Sequence, residues 1–241
     1  MSELKYKRIL VKLSGEALMG QYDFGIDPLV IQDLAVELDN LQQAGVEIGV
    51  VIGGGNIFRG AGLAAAGLDR VAGDHMGMLA TVMNALALKD GLQKQGLKAS
   101  VMSGLVLPQV CDNYTQREAR QRIGQGEIVI FAAGTGNPYF TTDTGASLRA
   151  VEIEADLMIK ATNVDGIYDS DPKKNPKAKK YDQLSYDQAI NQRLAVMDIT
   201  AMVLCNENNL DMVVCNIAAS NALLALAKGE SLGTRVTSGL I

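Results

Sequence analysis

The sequence predicts a doubly wound, three-layer α/β/α sandwich around a mainly parallel sheet. Three observations predict it: short apolar, β-branched runs recur along the chain, helical periodicity fills most gaps between them, and glycine-rich breaks follow several runs directly. "RILVKL" (8–13) is the first run, and its consecutive apolar positions suit a strand covered on both faces. Asp27-Pro28 then marks a helix start, a capping carboxylate followed by proline in the first turn. Ile31, Leu34, Leu38 and Leu41 follow at helical spacing and Gly45 ends the helix. "EIGVVI" (47–52) is the second strand. Asp74 is expected to cap a second helix carrying Leu79, Val82, Met83 and Leu86, with the lone His75 in its first turn. Strands at "ASVMS" (99–103), "EIVIFAA" (127–133), "DLMIKA" (156–161) and "DMVVCN" (211–216) alternate with helices near 115–123, 142–153, 198–208 and 219–227. Such alternation implies right-handed crossovers. The one compositional break, "SDPKKNPKAKKYDQ" (170–183), reads as an exposed loop or hairpin. Its five lysines between 173 and 180 read as a solvated face, with contact to a nucleotide's phosphates as the weaker alternative. No internal repeat appears, so one domain is expected over 1–241.

Composition narrows the function. The chain has 241 residues, 48% hydrophobic and 20% charged, with a net charge of −5, one histidine and no tryptophan. An acidic chain can hold a nucleotide in a local basic pocket but is unsuited to coating nucleic acid. No apolar stretch approaches the roughly 18 residues needed to span a membrane, and the start lacks the pattern of a signal peptide. Cys111, Cys205 and Cys215 are odd in number and form no CxxC pair, which argues against a disulfide framework or zinc site. A cytoplasmic protein is expected. HExxH metal motifs need two histidines and are excluded; with the lone His75 read as a helix residue, none is left over for Ser-His or Cys-His catalysis.

The chemistry lies in the loops after the strands, where open α/β sheets bind ligands. Lys12 ends the first strand beside Ser14 and Gly15; burying an ammonium there is costly unless it reaches water or an anion. Gly53-Gly54-Gly55 permits positive φ and close backbone approach around an anion, and Arg59 adds a bidentate fork. A plain turn with a surface arginine is the alternative. The segment is neither a P-loop nor a GxGxxG fingerprint, because the lysine-plus-hydroxyl ending is missing and Phe58 replaces the third glycine. Thr135 to Thr142 offers hydroxyls, an amide and free backbone groups, and Asp143 follows as a helix cap, as an acceptor that orients a catalytic lysine or helps hold a metal, or as both cap and acceptor. Phosphoryl transfer to an anionic acceptor needs positioning and charge neutralisation rather than a general base, which fits this inventory.

Taken together, "KLSGEAL", "VVIGGGNIFRG", "GDHMGMLATVMNALAL", "GTGNPYFTTDT" and "KATNVDGIYDSDP" resemble the bacterial uridylate kinases of the amino-acid kinase superfamily, in order and spacing, over nearly the whole chain. The resemblance implies the amino-acid kinase fold and the reaction ATP plus UMP to ADP plus UDP, with Mg2+, in pyrimidine nucleotide synthesis. It divides the domain into an acceptor half (about 1–155) and an ATP-base half (about 156–241). It assigns Lys12, Leu13, Ser14 and Gly15 to the ATP phosphates, and Gly55 and Arg59 to ATP near the transferred group. It assigns Gly54 and Asp74 to UMP, Asp74 on the ribose. The UMP loop is Thr135, Gly136, Asn137, Pro138, Tyr139, Phe140, Thr141 and Thr142; the ATP base and ribose take Thr162, Tyr168 and Asp171. Lys12, Arg59 and Asp143 are the implied catalytic residues, Asp143 as the aspartate that organises the catalytic lysine and the metal; no direct protein ligand of the metal is assigned. A homohexamer activated by GTP and inhibited by UTP is also implied, yet basic residues that bind GTP in some members are absent here: Lys89 and Gln93 occupy the helix end, and Ser100 and Glu127 lie nearby. Met76, Leu79 and Met83 form a stripe that suits core or subunit interface, core being preferred. Two other readings stay open: a superfamily kinase for an amino-acid carboxylate or carbamate, against which "GTGNPYFTT" argues, and a non-catalytic nucleotide sensor or oxyanion-binding protein.

Overall fold

Strands that are apolar on consecutive positions must be covered from both sides, and the chain achieves this with one sheet between two helical layers. The computed structural model describes residues 3–58, 67–172, 174–194, 196–217 and 221–239. Strand β1 (Arg8–Leu13) leads through a 3₁₀ turn (Gly15–Met19) to α1 (Pro28–Gln43), β2 (Glu47–Ile52) and α2 (Arg70–Lys94). Then come β3 (Ala99–Ser103), β4 (Asp112–Asn113), α3 (Gln116–Gly124), β5 (Ile128–Ala132), α4 (Thr142–Glu152) and β6 (Leu157–Thr162). The remainder is β7 (Gln183–Ser185), α5 (Tyr186–Asn191), α6 (Ile199–Glu207), β8 (Met212–Asn216), α7 (Ala222–Ala227) and β9 (Thr234–Thr237).

Among the described residues the strands form a nine-stranded sheet, ordered β4-β3-β5-β2-β1-β6-β8-β9-β7. All neighbours are parallel except β8 and β9. Alternation along each strand sorts side chains between two cores. Ile9, Val11, Leu13, Ile48, Val50, Ile130 and Ile159 join α1, α2 and α7 on one face. Leu10, Val51, Val129, Phe131 and Met158 meet α3, α4, α5 and α6 on the other. At about 25 cal/mol per Å² of apolar surface removed from water, these two buried layers are the main stabilising term.

The doubly wound, mainly parallel prediction holds, and the six apolar runs are strands with ends shifted by at most a residue. Short strands β4, β7 and β9 and helix α5 were not anticipated, because two to four partly polar residues carry no apolar run. Two expectations are overturned. Asp74 does not cap the second helix: that helix starts earlier, at Arg70, and Asp69 caps it by accepting from the Ala72 amide. His75 therefore lies beyond the first turn, with Nδ1 2.9 Å from the Val71 carbonyl. The Met76, Leu79 and Met83 stripe is not core, for these side chains are 43%, 46% and 54% exposed. The buried face of α2 is instead Met78, Val82, Ala85, Leu88 and Leu92. The 170–183 segment is an exposed excursion closed by an antiparallel bridge between Tyr168 and Lys180. Lys174, Lys177, Lys179 and Lys180 are solvent-exposed there; Lys173 lies outside the described residues.

Asp27 caps α1 as predicted, its Oδ1 accepting from the Leu29 amide at 2.9 Å. Asp27→Ala should cost about 1 kcal/mol and lower the melting temperature by about 2–4 °C for a chain of this size; a thermal melt measures it.

Candidate active site

The parallel register of β1 and β6 sets Lys12 directly beside Lys160. Strand parity turns both toward the face covered by α4, since Leu10 and Met158, two residues earlier, pack in that core. Two ammonium groups on adjacent strands repel unless an anion separates them. Asp143, in the first turn of α4, is that anion. Its Oδ1 is 2.8 Å from Lys12 Nζ and its Oδ2 2.7 Å from Lys160 Nζ. The side chains are only 12%, 12% and 16% exposed for Lys12, Lys160 and Asp143. Burial alone would push the Asp143 carboxyl up, but the two ammonium groups prevail and hold it below the usual carboxylate range. Burial, opposed by Asp143, moves Lys160 below the usual lysine range. Asp143 is not itself the helix cap; Thr141 fills that role, accepting from the Asp143 and Thr144 amides.

Lys160 was missed, although the argument that singles out Lys12, a lysine ending a buried strand, applies to it equally. Asp198 offers less in the sequence: it reads only as the cap of α6, donated to by the Ala201 amide. In the fold it also accepts from the Thr141 and Thr144 hydroxyls, tying the starts of α4 and α6 together.

The glycine turns after β1 and β2 pack directly on each other. The Gly53 amide donates to the Leu13 carbonyl at 2.9 Å. A Cβ on Gly15 would lie 2.5 Å from the Gly53 carbonyl oxygen and 2.7 Å from the Gly55 nitrogen. A Cβ on Gly54 would lie 2.9 Å from the Gly77 carbonyl of α2. None of Gly53, Gly54 and Gly55 has positive φ, so close approach and not left-handed backbone is what glycine serves here. A buried, reciprocal amide pair, Asn56 with Asn84 of α2 at 2.7 and 2.9 Å, fixes the turn, and Asn84 also donates to the Gly53 carbonyl at 2.7 Å. Leu13 faces the core and Ser14 makes no side-chain cap contact. Arg59 lies outside the described residues.

A cavity of about 390 Å³ opens between the turn after β2, α2 and the loop after β5. Gly54, Asp74, Thr135, Asn137, Phe140, Thr141 and Thr142 line it, as does Gly55; Gly136, Pro138 and Tyr139 do not. Gly136, at φ 78°, is pressed against Gly104, and Tyr139, at φ 71°, points outward over Arg70. The Tyr139 amide donates to Asp74 Oδ2 at 2.7 Å, and Arg70 Nε donates to the same carboxylate. Burial opposes ionisation of Asp74, yet these donors hold it below its ordinary value. Thr162, Tyr168 and Asp171 gather around a second cavity of about 490 Å³ beyond β6, with Asp169, Pro172 and Leu194. The trough containing Lys12, Asp143, Lys160 and Asp198 lies between the two: it shares Thr141 and Thr142 with the first cavity and Lys160 and Val196 with the second. Both cavities are of small-ligand size.

Two cavities of small-ligand size thus flank a buried lysine–aspartate–lysine trough that shares lining residues with both. The chain belongs to the amino acid kinase family, which it matches over residues 7–216. It is 58% identical to the uridylate kinase of Xanthomonas oryzae pv. oryzae over 236 residues, 98% of each chain. It is 56% identical to the uridylate kinase of Methylococcus capsulatus over 239 residues, 99% of this chain and 100% of that one. The crystal structure of UMP kinase from Bacillus anthracis superposes with a TM-score of 0.94 at 36% identity, covering 98% of this chain and 97% of that one.

Asp143→Asn should leave two buried ammonium groups facing each other without a counter-charge, at a cost of about 3 kcal/mol. Because the native carboxyl titrates below its unfolded value, its contribution is present above the ordinary carboxylate pKa and is lost as pH falls through the lowered one. Denaturant titrations from pH 7 to pH 2 should therefore show a shallower acid loss in Asp143→Asn than in wild type.

Proposed function

We propose that the chain transfers the γ-phosphoryl group of ATP to UMP, giving ADP and UDP, as a UMP kinase of pyrimidine nucleotide synthesis. The observation that carries this reading is the trough of Lys12, Asp143 and Lys160, which shares lining residues with both cavities. UMP occupies the cavity of Gly54, Asp74 and Thr135 to Thr142, and the ATP base and ribose occupy that of Thr162, Tyr168 and Asp171. The chain works as one domain, with residues 1–155 carrying the acceptor and 156–241 the ATP base.

In the reaction a UMP phosphate oxygen attacks the γ-phosphorus as the bond to the β,γ-bridging oxygen breaks. The acceptor oxygen is already anionic, so no side chain must remove a proton. Lys12 neutralises charge on the moving phosphoryl group, while Asp143 orients Lys12 and Lys160 against their mutual repulsion. The turns at Ser14-Gly15 and Gly54-Gly55 present backbone to phosphate oxygens, and Arg59 bridges the two phosphate groups through its planar fork. Among the described residues no three His, Cys, Asp or Glu side chains gather as a metal cage. A Mg2+ ion that keeps its waters and travels with ATP asks for only one or two carboxylates, and Asp143 and Asp198 in the trough fit that demand. When bound, it supplies further neutralisation of phosphate charge.

Among the described residues no helix is long and apolar enough to cross a membrane, and we place the reaction in the cytoplasm. The outward Met76, Leu79 and Met83 stripe supports a homo-oligomer, a hexamer in this reading, with GTP and UTP as candidate effectors.

An assay of ADP release should show turnover with UMP well above CMP and dUMP; absence of turnover with UMP overturns the reading. Lys12→Ala should lower kcat about 100-fold or more with little change in UMP binding, and near-normal kcat would remove Lys12 from the mechanism. Thr135 and Asn137 hold one turn through mutual hydrogen bonds of 3.2–3.3 Å. Thr135→Ala or Asn137→Ala should raise KM for UMP and cost about 1–3 kcal/mol of the preference for UMP over CMP. Steady-state kinetics beside a thermal melt separates this from general loss of stability.

A further inference from the structure

The loop that lines the acceptor cavity leaves β5 through two consecutive left-handed residues, Ala133 at φ 62° and Gly134 at φ 54°. Ala133 carries a side chain and is wholly buried, so this backbone is strained and persists only where its surroundings over-determine it. Two side chains do so from opposite sides. Thr81 Oγ1, on α2, accepts from the Ala133 amide at 2.7 Å. Arg149 Nη2, on α4, donates to the Gly134 carbonyl at 3.2 Å. Gly145 closes against the same step, since a Cβ there would lie 2.8 Å from Gly134 Cα.

Arg149 is itself fixed on every side. It is 5% exposed, its Nη1 donates to Glu152 Oε2 at 2.6 Å, and its guanidinium carbon lies 3.6 Å from the centre of the Tyr114 ring. Tyr114 in turn donates its hydroxyl to the same Glu152 oxygen at 2.6 Å and packs edge-on against Phe131 of β5. A buried arginine of this kind is costly unless its geometry is used, and the planar fork serves two acceptors at once. Arg149 does not line the acceptor cavity. Its influence on that cavity can pass only through the backbone it holds.

We propose that Arg149 is a positioning residue for the acceptor site: by fixing the Gly134 carbonyl it holds the left-handed step from which residues 135–141 are hung, and so sets acceptor affinity. The claim deepens the functional reading above and rests on its placing the acceptor in this cavity. Arg149→Lys keeps a cation for Glu152 but loses the fork that also reaches Gly134. Tyr114→Phe keeps the ring against Arg149 and loses only the hydroxyl contact, so it reports what the cluster contributes to stability alone.

The test compares both variants with wild type. In hydrogen–deuterium exchange of ligand-free protein, amides of 133–141 should exchange at least about tenfold faster in Arg149→Lys, with β1 and β6 unchanged. In steady-state kinetics Arg149→Lys should raise KM for UMP about fivefold to tenfold, with KM for ATP within about twofold. Tyr114→Phe should lower the melting temperature while leaving both KM values near wild type. Unchanged loop exchange in Arg149→Lys overturns the proposal, as does an equal rise in both KM values or in KM for UMP with Tyr114→Phe. Wild-type protein without turnover on UMP would overturn the functional reading instead, and the exchange result would still decide whether Arg149 holds the loop.

Discussion

The contact on which the rest of the site depends is the sharing of one carboxylate by two lysines from neighbouring strands. Parallel pairing of β1 with β6 gives Lys12 and Lys160 the same height and the same face of the sheet. Asp143 resolves their repulsion from the first turn of α4, where the helix dipole also favours a negative charge. The arrangement is therefore a structural necessity: without the shared carboxylate the two buried ammonium groups would face each other unscreened. The two cations in the trough are thereby largely desolvated and already oriented, each held by the same carboxylate.

Helix α2 organises the acceptor side from within. Its first turns supply Asp74 to the loop at Tyr139, its middle supplies Thr81 to Ala133, and Asn84 reaches Gly53 one turn later. One rigid rod thus spaces the two loops that flank the first cavity. The opposite face of the same rod carries the exposed Met76, Leu79 and Met83, so any surface covering that stripe rests on the element that sets the cavity's width.

Much of this was legible in the sequence because burial on both faces leaves an unambiguous mark. "RILVKL" and "EIGVVI" could be little else than central strands, and Asp27-Pro28 announced a helix start that the fold honours. Where the sequence misled, the cause was a competing local signal. Asp74 is a credible cap by type, but Asp69 lies where the helix begins, and a carboxylate within a helix is indistinguishable by type from one that caps it. The stripe at Met76 looked like core because apolar spacing does not say which of two apolar faces meets the sheet. Lys160 carries the same local mark as Lys12, a lysine near the end of a buried strand, but its pairing with Lys12 comes from strand register between residues 148 apart, which no local pattern records. The glycines at 53–55 were placed correctly as a close-approach turn, while the positive φ also expected of them is found instead at 133, 134, 136 and 139.

The strand order has a consequence for how the molecule comes into being. Strands β1 to β5 form one side of the sheet and β6 to β9 the other, with β1 and β6 meeting at the seam. A nascent chain that has emerged only through α4 can assemble the first side, but β1, with Ile9, Leu10, Val11 and Leu13 along it, is then an open edge. Such an edge invites pairing with another chain until its proper neighbour arrives. Closing the seam requires a contact far apart in sequence, a slow kind of step in folding. Until it closes, Lys12 lacks the neighbour that completes its ion-pair centre, so that centre is among the last features of the molecule to mature.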